Sequence, residues 1–221
     1  MSVAVHIIPA WFTSRAAGVV ALLLCSLSVS IGLLKVTGSV RVRIAGMGIR
    51  SLHEALAIAA LAVIAVHGVA LLLDPFLKPG VVGVLVPFAN PYRTLATGVG
   101  QIAAYGLVAL SLSFYWRRSI GVAAWRAAHA LIPAFWALGV VHGLTAGTDR
   151  FTWWFLATLL LPAFPALVLL AIRLDTAWLA PQAAMAQSPP STGVAEGERQ
   201  WTEGEFRGVE AGSRPSSRSL W

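Results

Sequence analysis

Four histidines in two apolar stretches carry what chemistry this sequence offers. His53 and His67 lie 14 residues apart, and His129 and His142 lie 13 apart. Ionisable side chains inside apolar spans are costly, and they usually face a bundle interior or mark a functional pathway. A single such histidine, bonded to a backbone carbonyl, would be an ordinary core residue. Two stretches, each with a histidine near either end at almost the same separation, point instead to paired ligation. In a helix, 14 residues rise roughly 21 Å, so each stretch places one imidazole near each face of a bilayer. If both stretches run in the same direction, His53 shares a level with His129, and His67 shares the other level with His142. Each level then offers two imidazoles from different helices, as axial ligation on both sides of a haem iron requires.

Rotation favours one pair over the other. Fourteen residues fall only about 40° short of whole turns, so His53 and His67 share a face. Thirteen fall about 140° short, so an ideal helix would turn His142 away from the face of His129. Pro133 removes the hydrogen bond to the His129 carbonyl, and a kink or bulge there is the expected remedy.

Other chemistries fit less well. Zinc needs three or four ligands converging on one point, whereas these lie on two levels. A dimetal carboxylate site would have to rest on Glu54 alone, near a span end. There is no clustered Ser-His-Asp or Cys-His set, and no Gly-rich phosphate loop follows a strand. Haem is the cofactor that remains.

The elements that must position these imidazoles follow from composition. Of 221 residues, 57% are hydrophobic and only 11% charged, against about a quarter charged in soluble domains. Five apolar runs approach or exceed the roughly 20 residues of a membrane span. They are Ala16–Leu34, Leu52–Leu73, Val99–Trp116, Val122–Leu144 and Phe151–Ile172. Lipid offers backbone groups no partners, so the runs are helices. The expected fold is all-α, a polytopic transmembrane bundle of about five spans over residues 1–180. The histidines fall on its second and fourth spans. A shorter run, Val81–Phe88, is expected at the interface or dipping into it, and Pro162 and Pro165 are expected to kink the last span. The first run has no small-residue cleavage site after it and reads as a retained helix rather than a signal peptide. Cys25 lies inside that run and reads as a small buried hydrophobe.

Charge sets the orientation. Residues 1–180 hold 12 basic against 4 acidic residues, while 181–221 hold 4 against 5. The basic residues sit at the ends of apolar runs, where orientation signals belong, and not on a groove-binding element, so nucleic acid is not an expected partner. Lys35, Arg41, Arg43 and Arg50 crowd the first connection, and Arg117 and Arg118 the third, with Arg126 just beyond. The other two connections are poorer in positive charge. The protein is therefore expected in the cell membrane as a multi-pass protein, with its amino terminus outside and its carboxyl terminus cytoplasmic. Residues 181–221, rich in Ser, Pro, Gly, Glu and Arg, are expected to form a disordered cytoplasmic tail.

Three segments resemble the ferric reductase-like transmembrane domain family. They are Pro87-Phe-Ala-Asn-Pro-Tyr-Arg93, Trp125-Arg-Ala-Ala-His129 and His142-Gly-Leu-Thr-Ala-Gly-Thr-Asp149. That family includes the membrane halves of NADPH oxidases and ferric reductases, and the haem-binding subunits of bacterial periplasmic methionine sulfoxide reductases. The resemblance covers about residues 14–175, with the histidine spacings as its most specific part. It implies transmembrane electron transfer through two haems b, with His53 and His129 on the inner and His67 and His142 on the outer. The donor would be a separate flavoprotein reductase or a membrane quinol, and the acceptor extracytoplasmic. The sequence departs from the family in having five spans rather than six, with ligands on the second and fourth rather than the third and fifth. The polar tail of about 45 residues after the last span is not expected to form the flavin and nicotinamide domain that some members append there.

Arg50 and Arg126 each stand three residues before an inner histidine, one helical turn toward the cytoplasm. They are candidates to pair with the inner haem's propionates, or else ordinary positive-inside residues. Arg93 and Arg150 are weaker candidates on the outer side. Phe135 and Trp136 lie midway along the fourth span, either between the haems or simply packing. The rival function is a small transporter whose histidines relay protons, which needs a continuous polar path. Gln101 and Ser111 are isolated polar residues in the spans and form no such file.

Overall fold

The computed structural model describes residues 2–36, 43–44 and 47–186, with side chains described for 10–35 and 48–180. It is a helical, multi-pass membrane fold. Five helical segments are long and apolar enough to cross a bilayer: Ala10–Lys35, Ile49–Leu72, Thr94–Ile120, Val122–Ala146 and Trp153–Ala180. Their order and approximate bounds follow the five apolar runs, because lipid leaves a chain of this composition no other way to pair its backbone.

The first helix, α1, spans Ser2–Val36. A two-residue antiparallel ladder, Arg43–Ile44 (β1) with Met47–Gly48 (β2), precedes α2, Ile49–Leu72. The short run expected at the interface is a six-residue helix, α3, Gly80–Leu85. The third span is α4, Thr94–Leu112, extended by a 3-10 turn at Ser113–Trp116 and a single turn, α5, Arg117–Ile120. Gly121 turns the chain at φ +94°, a conformation that L side chains rarely adopt. The fourth span is not one helix. It is α6, Val122–His129, followed by a break and then α7, Ile132–Ala146, with Pro133 in its first turn. The last helix, α8, runs from Trp153 to Ala186, helical through Pro162 and Pro165 and six residues past the boundary expected at residue 180. Beyond residue 186 the expected disordered tail, with Trp201 and Trp221, lies outside the described residues.

Two compact units divide the chain at Leu174. Within the first, α1 packs on α2 and α4 on α7, while α1 also touches α7. Residues from all five spans meet in one core around Trp136, which is 1% exposed. Cys25, Val29 and Leu33 of α1, Ala60 of α2, Leu107 of α4, and Ala163 and Ala166 of α8 surround it. Cys25 is buried and reduced, as its apolar context implies. Small residues at these positions let helices approach closely, which is what drives association where the solvent is itself apolar. Polar side chains reinforce the core. The Trp136 indole N–H donates to Ser26 Oγ at 3.0 Å, and Ser26 in turn donates to the Leu22 carbonyl at 2.7 Å.

One of the isolated polar residues of the third span has a structural task. Gln101 Nε2 donates to the carbonyls of Gly83 and Val84, and the Tyr105 hydroxyl donates to that of Leu85, so α4 satisfies the end of α3. Asp74, 2% exposed, closes the turn after α2 by accepting from the amides of Phe76 and Leu77.

Candidate functional site

Each of the four histidines donates through Nδ1 to a backbone carbonyl on a neighbouring helix. His67 bonds Ser14 at 2.7 Å and His53 bonds Ser28 at 2.9 Å, both on α1. His142 bonds Ala96 at 2.8 Å, and His129 reaches Leu110 at 3.5 Å, both on α4. A carbonyl oxygen only accepts, so each Nδ1 carries the proton and each Nε2 keeps its lone pair. This is how ligating histidines are held: one ring nitrogen fixed by an outer partner, the other free for a metal.

The two levels expected from spacing are present at one end in detail. The rings of His53 and His129 lie edge-on to one another, with centroids 6.4 Å apart and planes at 84°. An iron held between two imidazoles by bonds of about 2 Å sets their ring centres roughly 6 Å apart. At the other end His67 and His142 are within electrostatic reach of each other. Between the levels lie Ala60 and Trp136, each buried and each about midway between the histidines of its own span. Among the described residues, no three of His, Cys, Asp and Glu converge as a metal cluster would require.

The rotation problem of the fourth span is resolved at the break. His129 and His142 both reach carbonyls of α4, so they present to the same neighbour. Around Ala130 and Leu131 the chain tightens. The amide of Leu131 bonds Ala128, three residues back, and that of Ala134 bonds Leu131. Such turns advance more per residue than an α-helix, in the sense that a 13-residue separation needs. The acceptors Ala96 and Leu110 are 14 apart along α4, one more than the histidines they hold, and the break absorbs that difference. On the other side no adjustment is needed: Ser14 and Ser28 are 14 apart, as are His67 and His53 on the antiparallel partner.

Glycines give the rings room. A Cβ at Gly32 would lie 3.1 Å from His53 Cε1, and one at Gly18 would lie 3.3 Å from the His67 ring. A Cβ at Gly100 would overlap the His142 imidazole outright. Sequence reading missed these seats, and it missed the serines. The signal was there in α1: Ser14-x-x-x-Gly18 recurs as Ser28-x-x-x-Gly32 at the 14-residue offset of the α2 histidines.

The arginines divide. Arg50 is exposed, with its guanidinium 5.9 Å from the centre of the Phe114 ring, and Arg117 lies 3.9 Å from the same ring. Arg126 is exposed on α6. Phe114 packs on Trp125 (5.8 Å), and Trp125 lies over His129 (4.9 Å, 30°). Trp125 Nε1 is buried beside that imidazole with no acceptor among the described residues. At the opposite end Arg93 and Arg150 both donate to the Thr145 carbonyl, one turn past His142, at 2.5 and 3.0 Å. Arg15, stacked on Trp11, pairs with Asp149 and ties α1 to the α7–α8 connection. Phe135 packs over Gly106 of α4, while Trp136 sits in the core against α1.

Comparison with models of known families, with characterised proteins and with solved structures finds no match in any of the three.

Proposed function

We propose that this membrane protein is a b-type cytochrome that binds two haems and carries electrons across the bilayer. The observation that carries the reading is the common state of four intramembrane histidines, with Nδ1 tied to a backbone carbonyl and no hydrogen bond at Nε2 among the described residues. Nothing in helix packing alone calls for four imidazoles held in this tautomer at two depths. The 6.4 Å separation of the His53 and His129 rings suits a shared iron. The buried indole N–H of Trp125 beside them, with no acceptor among the described residues, suits an acceptor carried by the bound group.

In this reading His53 and His129 hold one haem, and His67 and His142 the other. When bound, the iron would supply one-electron redox chemistry, and these four histidines are the residues that would hold it. The chain's own residues do the rest. Backbone carbonyls orient the imidazoles and make them more basic, glycines admit the rings, and the Trp136 core keeps water from the space between levels. Arg50 and Arg126 stand where they would meet propionates at the inner end. By resemblance to ferric reductase-like membrane domains, the donor is a cytoplasmic flavoprotein or a quinol and the acceptor is extracytoplasmic. The cell membrane is the proposed location, with the amino terminus outside and the carboxyl terminus in the cytoplasm.

The test is the visible spectrum of protein purified in detergent from haem-replete cells. A low-spin ferric spectrum, with a sharp band on reduction, is expected. A colourless preparation would end the cytochrome reading and favour a proton relay.

A further inference from the structure

The two imidazoles at each level are not held alike, and the difference lies on α1. Ser28 meets His53 twice: its carbonyl accepts from Nδ1 at 2.9 Å, and its hydroxyl oxygen stands 3.1 Å from the same nitrogen. The hydroxyl also lies 3.3 Å from the His53 carbonyl, to which it donates, leaving a lone pair for the imidazole N–H. Ser14 repeats the two contacts to Nδ1 at His67, with its carbonyl at 2.7 Å and its hydroxyl at 3.3 Å. Both serines are buried, at 4% and 6% exposure. The partners of His129 and His142 are Leu110 and Ala96, which have a carbonyl to offer but no hydroxyl.

These two serines depart from what hydroxyls in apolar helices ordinarily do. Ser26 and Ser30, on the same helix, bond back to carbonyls four residues earlier, at 2.7 and 2.8 Å. That local bond is the default for a serine without a better partner. Ser14 and Ser28 turn outward to the neighbouring helix instead, at the two positions where an imidazole arrives.

We infer that Ser14 and Ser28 are positioning residues that set the electron-donating strength of the α2 imidazoles, so that each haem has one strongly and one weakly supported ligand. This rests on the cytochrome reading above. A second acceptor on the Nδ1–H draws the proton away from the ring and leaves Nε2 more electron-rich. An electron-rich ligand favours the ferric state, so each hydroxyl lowers the potential of the haem it serves. Ser28, with the closer contact, has the larger effect.

Potentiometric titration of the haem-loaded protein tests this, comparing the unmodified chain with S28A, S14A and S26A. Ser26 is the control, since its hydroxyl is buried on the same helix but serves Trp136 and not a histidine. The expected result is an upward shift of one midpoint in S28A, a smaller upward shift of the other in S14A, and neither in S26A, with haem content unchanged. Potentials that stay put in S28A and S14A with both haems bound would overturn the inference. So would shifts of both midpoints together, or equal shifts in S26A. Should an alanine variant lose its haem, S28T and S14T decide: native potentials with the hydroxyl restored support the role, and shifted ones contradict it. Absence of haem from the unmodified protein would instead fail the cytochrome reading itself.

Discussion

At the scale of single residues, what the sequence exposes is what is chemically out of place. A histidine in an apolar run is rare enough to be seen without a structure, and two matched pairs are seen at once. Serine is different. Ser14, Ser26, Ser28 and Ser30 all look alike in α1, because a hydroxyl can satisfy itself on its own helix. Only the register between α1 and α2 shows that Ser14 and Ser28 serve imidazoles while Ser26 and Ser30 do not. Glycine seats are equally silent until a ring is found against them. They make a graded prediction. Gly100→Ala puts a methyl group where the His142 ring lies and should weaken haem retention at the outer level by roughly 10–100-fold. Gly18→Ala meets the His67 ring at 3.3 Å and should cost far less, while Gly48→Ala, with nothing within 4 Å, should cost nothing there. Haem titration of the three apoproteins would rank them. Equal retention in all three would show that the ring seats are loose.

At the scale of elements, hydropathy located every span but not its internal breaks. Val122–Leu144 reads as a continuous apolar run, and its composition is that of one helix. The break after His129 follows from Pro133 and from tight turns at Ala130–Leu131, whose geometry no average over a window can register. The arithmetic of 3.6 residues per turn did show that something had to give between His129 and His142. Trp136 was legible only as an aromatic midway along a span. Its place at the centre of the core depends on which neighbours offer small residues, and those lie on other helices. Trp136→Ala should therefore destabilise the bundle by about 3–5 kcal/mol. Trp136→Phe, which keeps most of the bulk and loses the bond to Ser26, should cost about 1 kcal/mol. Thermal unfolding in detergent, followed by circular dichroism, would separate the two. A phenylalanine variant as unstable as the alanine one would mean that the indole bond dominates over packing.

At the scale of the whole molecule, the membrane fold follows from composition, while orientation rests on charge. Basic residues crowd the first and third connections, and the proposed orientation puts those two on the cytoplasmic side. A reporter active only in the cytoplasm, fused after Arg173, should be active. A silent fusion on a well-expressed protein would reverse the orientation or add a span. In that proposed orientation His53 and His129 would hold the inner haem and His67 and His142 the outer. Haem stoichiometry in His53→Ala, His129→Ala and the double variant, beside the unmodified chain, tests the pairing most directly. If His53 and His129 hold one iron between them, the unmodified protein carries two haems per chain, and each single variant carries one. The double variant then also carries one, because the second substitution has nothing further to remove. A single haem in the unmodified chain, or a double variant emptier than either single one, would contradict the account.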